Sequence, residues 1–538
     1  MKPPGTWLRD ARRQLARLPS LRMARVPDAP AQPVRDPWLG ELERGAALMR
    51  GELALPGGAA PLRPGSFGAS ALNPLLRATV HGFTWLRDLR ALGTDAARMR
   101  ARALVSDWIA EPAPDPIAER PDVIGARITA WLGHYDFFAA SADDGFRQRL
   151  MARLVADARM LAAALPAEEL DARAITAVKG VIAAAVALPE HTAFLARGLR
   201  VLPQELNRQI LPDGCHCERS PAQQLAVLMD LVEIRTLLQA AGAPAPEALV
   251  RAIERMGPAL RLMRHGDGGL ALFNGTAEDS PARIEAVLAQ AGRAGRMPAQ
   301  LPEGGFHRLQ TGRTVLIVDC GPPAAAKLDR LAHAGTLGFE LSVGRERLIV
   351  NCGALPAAGP DWHDATRATA AHSTLVIAET SSADLRPQSP QGQGGLGTRR
   401  PTAVEVTRQE ASGAHWLHAS HDGWRLPFGA IHHRRIYIAE SGEDIRGEDA
   451  VEAPTPQPFI VRFHLHPAVK TSLQQDGEAV LLRLPSGGFW RLRADGGRVA
   501  LDRSIYLGAE TPRESEQIVL TAAQDGPQQV RWAITRVG

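Results

Sequence analysis

"TVLIVDCG" at residues 314–321 and "RLIVNCG" at 347–353 are two short apolar runs closed by Cys-Gly, with "FELSV" (339–343) between them. Runs of this length, bounded by Gly, Asp or Asn, read as β-strands, and their mutual likeness is that of successive hairpin strands. The texture continues through "STLVIAE" (373–379), "AVEVTRQ" (403–409), "HWLHASH" (415–421), "RRIYIAE" (434–440), "FIVRFHLH" (459–466), "AVLLRLP" (479–485), "FWRLRA" (489–494) and "VRWAITRV" (530–537). At least a dozen strands are predicted, and with them an all-β half.

Upstream of "GRAGRMPAQLPEGG" (292–305) the period changes. "ALMRGELAL" (47–55), "HGFTWLRDLRALGTDAARMRARALVSDWIAE" (81–111), "AITAVKGVIAAAVALPE" (174–190) and "SPAQQLAVLMDLVEIRTLLQAAG" (220–242) place apolar residues three and four apart. That spacing predicts helices, with Pro and Gly marking their ends. Roughly seven to ten helices paired antiparallel suit a helical toroid. The predicted segments are a basic amphipathic stretch over 1–36, a toroid over 37–295 and a β-domain over 305–538.

A chain of 538 residues exceeds one ordinary core, so several domains are expected. Residues 1–50 hold ten Lys or Arg against five Asp or Glu, so the formal net charge of +4 comes from the N-terminus and the remainder is nearly neutral. "TWLRDARRQLARL" (6–18) has the pattern of a basic amphipathic helix that docks on a surface of this chain, of a membrane or of a partner. Lysine occurs only at 2, 179, 327 and 470, and Arg-for-Lys usage beside so much Ala and Gly follows from a GC-rich coding bias. No aromatic-basic groove accompanies the N-terminal arginines, which argues against nucleic acid. No run approaches the roughly 18 apolar residues of a membrane span. The first 30 residues lack the apolar run of a secretory signal, so the sequence as written predicts a cytoplasmic protein.

Eleven of the 16 histidines lie between His307 and His466. His372, in "RATAAHSTLVI" (367–377), stands beside Ser373 and Thr374 at the start of a strand. A solvated sheet face would explain it, and so would a cleft. His464 and His466 are two apart and share a strand face, while His432 and His433 point to opposite faces. "CHCE" (215–218) sets His216 between Cys215 and Cys217, a weak metal signal without a distant second pair.

"AHAGTLGFEL" (332–341), "GRERLIVNCG" (344–353) and "AAHSTLVI" (370–377) resemble the heparinase II/III family. "FTWLRDLRALG" (83–93), "ARITAWL" (126–132) and "QELNRQILPDGCHCERSP" (204–221) look similar as well. The resemblance implies a multidomain α-then-β fold, an (α/α) toroid followed by an antiparallel β-sandwich, with a substrate groove between them. It further implies a polysaccharide lyase cleaving an acidic, uronate-containing glycan by β-elimination, and leaves the periplasm or cell envelope open as the compartment. Its alternative is a catalytically impaired homologue that binds such a glycan.

Elimination removes the C5 proton beside a carboxylate, so a donor must neutralise that carboxylate, a base must take the proton and an acid must serve the leaving oxygen. By resemblance His333 falls at the catalytic histidine of the β-domain, His372 at the histidine of the "AHxT" run, and His216 and Glu218 in the "DG-H-E-SP" stretch. The family tyrosine would stand at Gln223, and only Tyr135, Tyr437 and Tyr506 exist in the chain. The Asn-His pair expected near "DARAITAVKG" (171–180) is absent there. The family's metal-binding positions fall on Gly335 and Asn351, so neither a metal nor any other cofactor is expected. Arg219 would then neutralise the carboxylate by a bidentate contact, with His333 or His216 as base. Gln223, Glu218, Trp85, Arg87 and Tyr135 complete the expected substrate-binding set, although core packing for Trp85 and Tyr135 and a salt bridge to Asp88 for Arg87 are the plainer readings of those three.

Overall fold

The computed structural model describes residues 26–67, 72–110, 115–188, 190–292, 295–387, 389, 394–474, 477–509, 511–522 and 528–538. The amphipathic stretch expected over residues 6–18 lies outside them. Two compact units emerge, one of residues up to 210 with 226–253, the other of 211–225 with 254–389 and 393–538. No helix among the described residues is long and apolar enough to cross a membrane.

The first unit is helical, as the 3.6-residue period requires. Eleven helices of seven residues or more lie between Leu42 and Ala291 among the described residues, the last of them (Pro281–Ala291) in the second unit, slightly above the expected number. The excess has a local cause. Phe83 (φ 58°) and Gly93 (φ 64°) adopt left-handed conformations and cut the run 81–111 into pieces at Leu86–Leu92 and Asp95–Ala110. Gly51 (φ 88°) likewise ends the helix Leu42–Arg50, so "GELAL" is not helical but opens a hairpin, Glu52–Leu55 against Gly58–Pro61. Within this unit Pro121–Gly133 and Arg173–Ala187 pack at glycine. A Cβ on Gly180 would fall 2.3 Å from the Gly125 Cα, which only glycine permits.

Buried rings hold the helical unit together. Phe83, Trp108 and Trp131 form an edge-packed cluster with centroids 5.1–5.7 Å apart, and Trp85 joins it 5.1 Å from Phe83. The Arg127 guanidinium lies 4.4 Å from the Trp108 ring and donates to Asp157 at 2.8 Å. A buried charge of this kind is tolerated because its partner and its hydrogen bonds are buried with it.

Among the described residues the second unit holds two large antiparallel sheets, besides a two-stranded one of 385–386 and 395–396. One has eight strands in the order 404–411, 414–424, 430–438, 444–452, 529–537, 489–495, 479–483, 470–474. The other runs 497–506, 513–522, 459–465, 346–350, 339–343, 314–319, 306–311, 300–301, with 375–377 also pairing 459–465. Inward residues such as Leu316, Leu341, Ile436, Phe463, Trp490 and Ile534 form one shared core, as period-2 alternation demands.

A fold boundary drawn at the change of period, near 300, differs from the compact units. Residues 211–225 and 254–292 associate with the sheets because their polar groups are bonded there. Arg308 donates to the Leu262 and Arg264 carbonyls, and His265 binds Glu340 and Ser342 at 2.9 Å each.

Candidate functional site

All the catalytic candidates lie in the second unit. His372 follows a short turn, Thr369–Ala371, and leads into the strand Leu375–Ile377. Its Nδ1 faces the Ala368 carbonyl at 2.9 Å, so that nitrogen carries the proton and donates. Nε2 is therefore an acceptor, and His333 Nδ1 donates to it at 3.1 Å. The rings meet edge to face. By the same logic the His333 Nε2 carries a lone pair, and it has no partner among the described residues.

Burial keeps both rings neutral. It holds the His372 imidazole near 4, partly offset by the Ala368 carbonyl and the Glu340 charge. His333 is pushed well below the ordinary imidazole value, by burial first and then by His372, Arg367 and His363. Neither ring is an acid at neutral pH, and a base of such low proton affinity has little driving force against a carbon acid.

The His333 backbone N–H donates to Asn274 Oδ1 at 3.1 Å, and Asn274 Nδ2 donates to the Arg219 carbonyl at 2.8 Å. One amide thus ties together three segments far apart in the chain. Arg219 itself, expected to meet a substrate carboxylate, is committed elsewhere. Its guanidinium is buried, salt-bridged to Asp319, and donates to the Gly304 carbonyl at 2.7 Å and the Pro322 carbonyl at 2.5 Å. Its backbone has φ 54° just before the helix Pro221–Ala240, so it shares no helical face with Gln223. Arg219 thus joins segments of this unit, and releasing it would strip buried Asp319 of its counter-charge.

Pro221 does open that helix, as expected. Gln223 Nε2 lies 3.4 Å from Glu218 Oε1, and Arg330 reaches Glu218 Oε2 at 3.3 Å. His216 is fully buried, its backbone N–H donating to Gln224 Oε1 at 2.7 Å and its Nδ1 accepting from the Glu218 N–H at 3.3 Å. Buried polar groups need such partners, and His216 finds these within its own loop and the helix that follows. Glu218 is likewise buried, with its carboxylate turned to Gln223 and Arg330.

The remaining candidates belong to the helical unit. Trp85 is 2% exposed, packed on Phe83, and donates to the Val80 carbonyl at 3.2 Å. It is a core residue and no groove platform. Arg87 pairs with Asp36 at 2.9 Å. The Tyr135 hydroxyl is buried without a partner among the described residues, and burial raises its pKa. Of the other tyrosines, Tyr506 donates to Glu278 from a fully buried position, and Tyr437 stands beside Trp416.

The metal site that the resemblance implies does not fit the residues here. The space a side chain on Gly335 would need is filled by the His372 ring, 2.5 Å from a built Cβ. Asn351 has both amide ends engaged, Oδ1 accepting from the Ser373 N–H at 3.0 Å and Nδ2 donating to Glu340 at 3.2 Å. Among the described residues no three His, Cys, Asp or Glu converge as metal ligands. Gly335→Ala is expected to displace the His372 ring and cost about 1–3 kcal/mol through overpacking. Urea unfolding checks it; an unchanged midpoint would show that the ring is free to move.

Sequence reading missed Asn274 and Asp319. "FNGT" (273–276) carried one usable signal, an Asn before Gly, and Asn274 does take a left-handed φ of 46°. Helices followed by antiparallel sheets are the fold of the heparinases. Residues 293–533 match the heparinase II/III-like C-terminal family. A heparinase III structure superposes with a TM-score of 0.68 at 14% identity, covering 85% of this chain and 77% of that one. A mutant of heparan sulfate lyase HepC from Pedobacter heparinus gives 0.61 at 16% identity, over 99% and 88%. FtsZ-localized protein C of Caulobacter vibrioides is 34% identical over 523 residues, 93% of this chain and 89% of that protein. The chain belongs to the heparinase II/III-like family.

Proposed function

We propose that this protein is a heparinase-fold binding protein acting with the FtsZ division machinery, and that it does not catalyse β-elimination. The observation that carries this reading is the saturation of Arg219 by Asp319 and two carbonyls. With that guanidinium committed, nothing identified in the second unit replaces it as the neutraliser of a uronate carboxylate. Losing such a donor costs about 10²–10³ in rate, and losing the acid or base about 10²–10⁴ more. The full-length likeness to FtsZ-localized protein C supports the partner assignment. Sedimentation of the purified protein with GTP-assembled FtsZ polymers tests it. Co-pelleting that disappears when FtsZ is left unassembled is expected; protein remaining in the supernatant at every FtsZ concentration would overturn it.

A second reading, a lyase on an acidic uronate-containing polysaccharide or oligosaccharide, is favoured by one feature. The hydrogen-bond chain from Ala368 through His372 fixes the His333 tautomer and leaves its Nε2 lone pair without a partner among the described residues. In that reading His333 takes the C5 proton and His372 orients it. Retained glycan binding without cleavage would be its impaired form.

A further inference from the structure

We propose that the outer face of the eight-stranded sheet is a docking trough for an acidic peptide segment bearing apolar side chains, supplied by a protein partner. The inference rests on this sheet face alone, whether or not the buried histidine pair retains any chemistry.

Inward residues of this sheet pack in the core, so their neighbours in sequence point outward. The pairing aligns Trp416, Tyr437, Arg446, Ala533 and Arg493 in one row across five strands. The next row carries Arg435, Glu448, Arg531 and Asp495. Ala533 is the small residue between two arginines, and the depression around it encloses about 610 Å³. Trp416 is 41% exposed at one end, its ring 5.1 Å from that of Tyr437. Exposed tryptophan beside arginine is the composition of interface anchors.

Charge selects the occupant. Four arginines and two carboxylates line the depression, an excess of positive charge. Arg435 and Arg531 share Glu448 at 2.8 and 3.0 Å, and Arg446 holds Asp444 at 2.7 Å. Arg493 has no ion pair among the described residues, so it is the cation most available to an incoming carboxylate. Asp495 stands within the same trough without an ion pair among the described residues and would repel a uniform polyanion such as a uronate polymer. The Trp416 and Tyr437 rings are tilted by 44° and offer no flat platform for a sugar ring. A peptide with separated acidic residues and an apolar anchor meets both conditions. Five strands spaced about 4.8 Å span about 19 Å, which an extended peptide of about six residues crosses.

Fluorescence anisotropy at low salt tests this with three labelled probes. They are a peptide of about twelve residues alternating Glu with Leu, the same peptide with Lys for Glu, and an oligogalacturonate. Binding of the acidic peptide alone is expected, weakened about tenfold by Arg493→Glu and about tenfold by Trp416→Ala, and weakened further as salt rises. Both positions are at the surface, and unchanged thermal midpoints would confirm intact folding. Absent binding of the acidic peptide, or binding unaffected by both substitutions, would overturn the proposal. Tighter binding of the oligogalacturonate, lost in the same variants, would overturn it in favour of a sugar site.

Discussion

Asp449→Ala is expected to cost about 3–5 kcal/mol of folding stability, because it strips the counter-charge from a fully buried guanidinium. Asp449 accepts from Arg434 at 2.7 and 3.1 Å, from His432 at 2.8 Å and from the Trp532 indole at 2.9 Å. Arg434 and Asp449 are both fully buried between the sheets. Arg434 also donates to the Leu337 and Ser373 carbonyls, at 2.7 and 2.9 Å, so the cluster supports the segment that carries His372. At about 2–4 °C per kcal/mol for a unit of this size, the thermal midpoint of the β unit should fall by about 10–15 °C. Differential scanning calorimetry reads this directly. A shift under about 2 °C would mean that the arginine finds other anions or water, and the packing described would be wrong.

Lowering the pH from 7 to 5 is expected to remove about 3–4 kcal/mol through His372 and His464 alone. Burial holds them near 4 and near 3 in the folded protein. Both rings are depressed below the ordinary imidazole value, so between about pH 6.5 and 4 the unfolded chain binds more protons than the folded one. Stability therefore rises with pH through that window and is lost as pH falls. His464 fits the expectation, with Nε2 on the Ala370 carbonyl at 2.9 Å and Nδ1 on the Ser504 hydroxyl at 2.7 Å. Urea midpoints at pH 5, 6 and 7 measure the slope. His464→Gln should reduce it, and a flat profile would show that these rings titrate normally.

The α-then-β order was legible because period is a local property. A strand alternates and a helix repeats every three or four residues wherever they sit, so the change near 300 could be read without knowing any contact. Helix ends were less so: Gly51 closes a helix inside an apolar run that reads as continuous. His372 and His333 were legible from their motifs, and the structure brings them to 3.1 Å. The pairing of Arg219 with Asp319 was not legible, because the two lie 100 residues apart and no local pattern announces the pair. Trp85 beside Arg87 has the look of a sugar-binding pair, yet Trp85 belongs to an aromatic cluster whose other members are spread from Phe83 to Trp131. His464 and His466 separate for a similar reason. The strand ends at Leu465, and the ring of His466 packs on Tyr506 at 5.2 Å.

In the binding-protein reading proposed above, the buried histidine pair and the saturated arginine leave no working β-elimination site. Absorbance at about 232 nm, where a newly formed unsaturated uronate absorbs, measures that chemistry directly over a panel of acidic polysaccharides. No rise above the protein-free rate is expected for the wild type, and the same trace for His333→Ala. A steady rise with the wild type that vanishes in His333→Ala would contradict it and make the protein a lyase.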